Sequence, residues 1–307
     1  MTDLVVEVTN LSRTFGKTTA LDGVDFQASR GKVYGLVGAN GAGKTTLIKH
    51  LLGLLRAKSG TVKIFGENPV RNPEGVLKHI GYLSEDRDIP DWMSIEELMR
   101  YTNAYHSGWD QSYADELLTT FSLDPEKKIR NLSRGMRAQV ALISAVAHRP
   151  DLLILDEPSS GLDAVVRKDI LNAVVRTISE EGRTVIFSSH LLEEVERLSD
   201  HVTMIHQGKI VLDSSLELIN NTHHHSSIRF TDAQASPPAL ENVVAISGDG
   251  RSWSAIHQGS TESFQVTLAT MGGEIVESRH ATLEEVFVSR VGRPDLREQA
   301  QAEDRAK

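Results

Sequence analysis

Two stretches and one histidine have the residue types and spacing that phosphate chemistry needs. Gly38-Ala39-Asn40-Gly41-Ala42-Gly43-Lys44-Thr45 follows the pattern G-x-x-x-x-G-K-[ST], between the apolar run Val33 to Val37 and Thr46 to Leu52, which reads as a helix. The glycines let the backbone curl until several N–H groups converge on one anion. The helix start adds partial positive charge. Gly38, Asn40, Gly41, Ala42, Gly43 and Thr46 form this cradle. Lys44 would reach the outer phosphates as a point charge, and the Thr45 hydroxyl would ligate Mg²⁺. The plain alternative is a glycine-rich turn before a helix.

The second stretch is Leu152-Leu153-Ile154-Leu155-Asp156-Glu157, a buried strand ending in two carboxylates. Ligands of parallel α/β sheets bind at such C-terminal strand ends. Asp156 is placed to orient Mg²⁺ and Glu157 to polarise a water. The alternative is a pair of acids capping the next helix. His190 ends the apolar strand Thr184 to Ser189, 33 positions after Glu157 (190 − 157), one βα unit later. A parallel sheet puts it on the same edge as the carboxylates.

Other residues stay open between structure and function. Ser133, in Leu132-Ser133-Arg134-Gly135, precedes a helical run from Met136 to His148; it could be a helix cap or part of a second anion site with Gly135. Phe15, beside a turn, could be core or offer its face to a base. Trp92, Met93, Tyr101, Tyr105 and Trp109 gather in one segment, as a helical core or as a groove for a partner helix. His223, His224 and His225 are consecutive, so their side chains diverge on any regular element and make a poor metal site.

The elements that must position these residues alternate strand and helix. Strands are expected at 4–11, 20–28, 59–66, 80–83, 200–206 and 210–212, and helices over 94–122 (broken near Ser107-Gly108), 164–180 and 191–198. Beyond a polar stretch at 221–227 that reads as a linker, strands at 226–231, 240–246, 251–257 and 273–279 and helices at 259–272 and 282–290 make a small α+β domain of 228–290. Residues 291–307 read as a disordered or frayed helical tail.

Composition sets bounds. The chain has 307 residues, 39% hydrophobic and 24% charged, fitting a soluble globular protein of two domains. No apolar run is long enough to span a bilayer, and the N-terminus shows no basic region of a secretory signal. Without cysteine there is neither a disulfide framework nor thiolate chemistry. A net charge of −9 argues against nucleic acid as the partner.

Taken together and in this order, the motifs of residues 4 to about 218 resemble the ATP-binding subunit of an ATP-binding cassette (ABC) transporter. Gly38 to Thr45 matches the Walker A loop, and Ser133-Arg134-Gly135 stands in the place of the family signature. Leu152 to Glu157 matches Walker B with its glutamate, Ser160 to Asp163 the D-loop, His190 the switch histidine, and Phe15 the aromatic that stacks on adenine. The resemblance implies a P-loop NTPase fold, α/β with a mixed sheet, over residues 1–220, with a helical signature subdomain at about 86–148. It implies ATP and Mg²⁺ as ligands, Glu157 and His190 as catalytic, and Thr45, Glu85 and Asp156 around the metal. It further implies a homodimer in which Ser133 of one copy, with Gly135 facing the phosphate, closes the nucleotide site of the other, and it puts Asp163 among the nucleotide-binding residues. The partner would be a separate integral membrane permease, with this chain at the cytoplasmic face of the membrane. The loop after Leu83 and the segment Thr282 to Phe287 are similar to exporter-type subunits. Glu85 replaces the usual Gln; a carboxylate still ligates Mg²⁺ but cannot donate a hydrogen bond to water. Met136 replaces the usual Gln of the signature, with Ser133 and Gly135 kept. A soluble ABC-type ATPase acting on ribosomes or DNA, or a non-hydrolysing nucleotide switch, fits less well: the chain has one cassette, no sustained heptads, and both Glu157 and His190.

Overall fold

The computed structural model describes residues 3–179, 182–234 and 236–291. The chain forms two compact units that divide between Ile210 and Val211. From the N-terminus the elements are β1 (Leu4–Phe15), β2 (Thr18–Ser29), β3 (Val33–Val37), α1 (Lys44–Leu51), β4 (Ser59–Ile64), α2 (Pro73–Leu77), β5 (Ile80–Leu83), α3 (Ile95–Tyr105) and α4 (Gln111–Thr120). There follow α5 (Arg134–Val146), β6 (Leu152–Asp156), α6 (Ala164–Ser179), β7 (Thr184–Ser189), α7 (Leu192–Leu198), β8 (His201–His206) and β9 (Lys209–Ser215).

Every residue of β3, β6 and β7 is buried. Strands covered on both faces read as continuous apolar runs, which is why these three are plain in the sequence. They sit at the centre of a six-stranded sheet of order β5-β6-β7-β3-β8-β9. The pairings β5/β6, β6/β7, β3/β7 and β3/β8 are parallel. A separate antiparallel sheet, β2-β1-β4, carries the alternating strands. Its inward residues, including Val6, Leu11, Leu21 and Phe26, share one apolar core with Leu47, Ile48 and Leu51 of α1 and with Ile154 and Ile186. The α1 helix is therefore clamped between two sheets, fixing the loop that precedes it.

The helical segment breaks at the expected place, between α3 and α4. A capping box starts α3: Glu97 N–H donates to Ser94 Oγ and Ser94 N–H donates to Glu97 Oε2. Of the aromatic and Met cluster, Met93 is buried in the core, whereas Trp92, Tyr101 and Tyr105 are exposed. No helix among the described residues is long and apolar enough to cross a membrane.

The second unit contains α8 (Leu216–Thr222), β10 (His223–Gln234), β11 (Val243–Gln258), α9 (Thr261–Ala269), β12 (Gly273–His280) and α10 (Leu283–Val291). Its sheet is antiparallel, β11-β10-β12, over a core of Ile228, Phe230, Trp253, Phe264 and Leu268. Two expectations need correction. Residues 221–227 are not a linker: they end α8 and begin β10, and the units divide ten residues before 220 (220 − 210). Polarity misleads there, because this polar run is partly buried. Ser226 bonds both His257 and Ser278, and His223 bonds the Ile219 carbonyl. The strands expected at 240–246 and 251–257 are joined in one element, β11, which begins only at Val243. His224 stacks near His257 and His280, while His225 bonds Glu285 and Ser254. Among the described residues no group of three His, Asp or Glu side chains is arranged to hold a metal ion. The tail expected at 291–307 lies outside the described residues but for Val291, the last residue of α10.

Candidate active site

The site lies at the C-terminal edge of the central sheet. Strand β7 separates β3 from β6, and the register pairs Val37 with Ser189 and Asp156 with Ser188. The three strand ends are thus level, so the glycine loop after β3, Glu157 after β6 and His190 after β7 meet at one edge.

The loop can be built only without side chains at two places. A Cβ on Gly43, at φ +120°, would come within 2.5 Å of the Ala20 carbonyl, and one on Gly38 within 2.4 Å of the Ile205 carbonyl. Lys44 opens α1 and is buried. Its ammonium donates to the carbonyls of Gly38 (2.6 Å) and Ala39 (3.4 Å) and lies 3.1 Å from Glu157 Oε1. Glu157 is buried, and its backbone is left-handed at φ +48°, an uncommon state for a residue with a Cβ. Its other carboxylate oxygen, Oε2, bonds His190 Nδ1 at 2.7 Å. Lysine, glutamate and histidine therefore form one continuous chain.

A second set of side chains holds this one, and sequence reasoning misses it. Ser188 Oγ donates to Asp156 Oδ1 (2.6 Å) and accepts from the Glu157 N–H (2.9 Å). Glu194, buried on α7, accepts from Ser159 (2.7 Å) and Ser189 (3.1 Å), the first on the loop after β6 and the second at the end of β7. A signal exists: Ser188-Ser189 directly precede His190, and levelling the strand ends puts them beside Asp156.

A cavity of about 230 Å³ is lined by residues 39–46, Glu85 and Glu157. Beside it a larger one, about 620 Å³, is walled by Ser84 to Ile89, Leu52, Leu54, Leu77, His106 and His148, and it also contains Thr45 and Asp156. Neither Trp92 nor Trp109 lines it. Burial, together with Asp156, Asp86, Asp88 and Glu85, pushes the Tyr82 phenol on this wall up to about 12. Thr45, Asp156 and Glu85 offer only hard oxygen donors, the set Mg²⁺ prefers, with phosphate to supply the remainder. Bound there, Mg²⁺ would neutralise charge on the phosphates.

The remaining expected residues are elsewhere. Ser133 is exposed and caps α5, accepting from the Met136 N–H at 3.2 Å. Gly135 lets α5 approach α6, since a Cβ would meet Val166 at 2.9 Å. Asp163 caps α6 through the N–H groups of Val165 and Val166. Phe15 is not a core residue: it is 46% exposed at the end of β1, with the Arg13 guanidinium 4.6 Å from its ring.

The profile of the ABC transporter family matches residues 21–160. The bacitracin transport ATP-binding protein BcrA of Bacillus licheniformis is 36% identical over 210 residues, 67% of this chain and 68% of that one. The chain belongs to the ABC transporter ATP-binding proteins. The daunorubicin resistance ATP-binding protein DrrA3 of Streptomyces coeruleorubidus is 32% identical over 222 residues, 71% of this chain and 70% of that one. A solved ATP-binding subunit of an ABC transporter superposes with a TM-score of 0.65 at 28% identity, over 71% of this chain and 92% of that one. As an ABC cassette, the protein is a nucleotide-binding P-loop ATPase, and the P-loop fold expected from the motifs is the one found.

Proposed function

We propose that the chain is the ATP-hydrolysing subunit of an exporter whose membrane permease is a separate polypeptide. The observation that carries this is the Lys44–Glu157–His190 chain at one sheet edge. Lys44, Thr45 and the loop amides hold the phosphates. Glu157 polarises the attacking water, and His190 holds that carboxylate in place. Asp156, Thr45 and Glu85 hold Mg²⁺. Phe15 stacks on the adenine. One chain supplies no donor from its signature segment to its own phosphate cavity, so a second copy supplies Ser133, Gly135 and Asp163 across a head-to-tail dimer. Relatives named for bacitracin transport and daunorubicin resistance support an exporter. The permease engages the 620 Å³ cavity from the cytoplasmic face of the membrane.

Purification of the full chain from its native membrane, followed by an ATPase assay, tests this. Co-purification with an integral membrane protein and Mg²⁺-dependent turnover are expected. Failure of any integral membrane protein to co-purify would overturn the transport reading, whatever the ATPase activity. Lys44→Ala should abolish nucleotide binding by calorimetry, and unchanged affinity would count against the phosphate loop.

A further inference from the structure

Arg87 is a buried cation that the hydrolytic chemistry leaves unused. It lies on the wall of the 620 Å³ cavity, yet is only 4% exposed. Its backbone is left-handed at φ +51°, and its N–H closes a turn onto the Ser84 carbonyl at 3.2 Å. A long side chain in that conformation is held there by its contacts. The guanidinium donates through Nη2 to the carbonyls of Ser160 (2.8 Å) and Pro158 (3.3 Å). Its Nε is buried with no hydrogen-bond partner among the described residues. A second guanidinium, Arg134, sits against the same turn, where a Cβ on Gly161 would come within 2.3 Å of it. Burial and the charge of Arg134 pull the Arg87 pKa down, opposed by Glu85. Burying this charge is costly, and the two carbonyls it binds offset only part of that cost.

Those carbonyls belong to the turn that carries Glu157. Ser160 N–H donates to the Glu157 carbonyl at 3.1 Å, and Leu162 N–H to the Ser159 carbonyl at 3.2 Å. A displacement at Ser160 is therefore passed to Glu157 through one hydrogen bond. We propose that Arg87 is a positioning residue for Glu157, tying the loop 84–89 to the turn 158–160 so that the water-polarising carboxylate follows the cavity wall. That the cavity's occupant moves this wall rests on the transport function proposed for the chain; the positioning itself does not.

The test is steady-state hydrolysis by the full chain together with ADP binding by calorimetry. Arg87→Ala should lower kcat tenfold or more, with the ADP dissociation constant and the KM for ATP within about twofold. Arg87→Lys, which keeps the charge and can reach one carbonyl, should recover kcat to within about threefold of wild type. Arg87→Gly relieves the left-handed backbone and should lose kcat as alanine does, which settles the matter if alanine fails to fold. A kcat within twofold of wild type in Ala and Gly, or ADP affinity and kcat falling together, would overturn the proposal. Loss of hydrolysis in the wild-type chain would instead strike at the proposed function.

Discussion

Lys44 Nζ and Glu157 Oε1 are 3.1 Å apart, both buried, and Oε1 accepts no hydrogen bond among the described residues. The attraction is Coulombic, since the ammonium's hydrogen bonds go to Gly38 and Ala39. The cation proposed to bind phosphate is thus already engaged by the carboxylate proposed to polarise water. On that reading a phosphate entering the loop would compete with Glu157 for Lys44.

Glu157→Gln should therefore do two things. Hydrolysis should fall by about 10²–10⁴-fold, the usual worth of a general base. ADP affinity should rise, by up to about tenfold or about 1.4 kcal/mol, because Lys44 is released. Calorimetry with ADP reads the second effect apart from turnover. Unchanged or weaker ADP binding would show that the ion pair does not compete.

Ser188 supports both acids at once, as donor to Asp156 and acceptor from Glu157 N–H. Ser188→Ala leaves that buried N–H without its acceptor, a loss of about 1–3 kcal/mol. The melting temperature should drop by several degrees, and kcat should fall about tenfold as the carboxylates loosen. Thermal unfolding within one degree of wild type would mean that the bridge carries little.

What the sequence disclosed came from burial. The strands β3, β6 and β7 are apolar through most of their length; the polar ends of β6 and β7 marked Asp156, Glu157 and His190, and the glycine pattern after β3 marked Lys44. Ser188, Glu194 and Arg87 were not legible because their roles depend on which strands become neighbours and which loops meet. Arg87 in particular reads as one more charge in an acidic turn until its burial is known. The polar run at 221–227 misled for the converse reason: its histidines and serines find hydrogen-bond partners inside a sheet. Composition alone does not distinguish that from solvation.

His148 gives a pH dependence with a definite sign. Its ring stacks on His106 at 3.8 Å, and its Nε2 contacts the Ile80 carbonyl at 3.2 Å. Burial, with His106 and Arg183 nearby, lowers its pKa from 6.5 to about 4. The unfolded chain therefore takes up a proton below pH 6.5 that the fold refuses until about 4. Stability contributed by the neutral ring is complete above pH 6.5 and is lost as pH falls towards 4, by at most about 3 kcal/mol. His148→Gln should flatten the melting profile across that window. A variant whose melting temperature falls as steeply as wild type between pH 6.5 and 4 would assign the dependence to other groups.

Glu194 joins the loop after β6, which carries Glu157, to the loop after β7, which carries His190. Its Oε2 accepts from Ser159, two residues after Glu157, and from Ser189, one residue before His190. Its Oε1 lies 3.5 Å from Arg167 Nε on α6, in ion-pair contact without a hydrogen bond. The carboxylate thus fixes the spacing between the Glu157 and His190 loops from behind. Glu194→Gln keeps one oxygen that can accept from both hydroxyls, as Oε2 does, and should cost no more than about threefold in kcat, whereas Glu194→Ala removes the acceptor of both, at about 1–3 kcal/mol for Ser159 if it is left unpaired, Ser189 keeping its contacts with Leu191. The alanine variant should lower kcat about tenfold with KM for ATP unchanged, since neither loop holds the phosphates. A parallel rise in KM would place the effect on the phosphate loop instead and break the link drawn from Glu194 to Glu157 and His190.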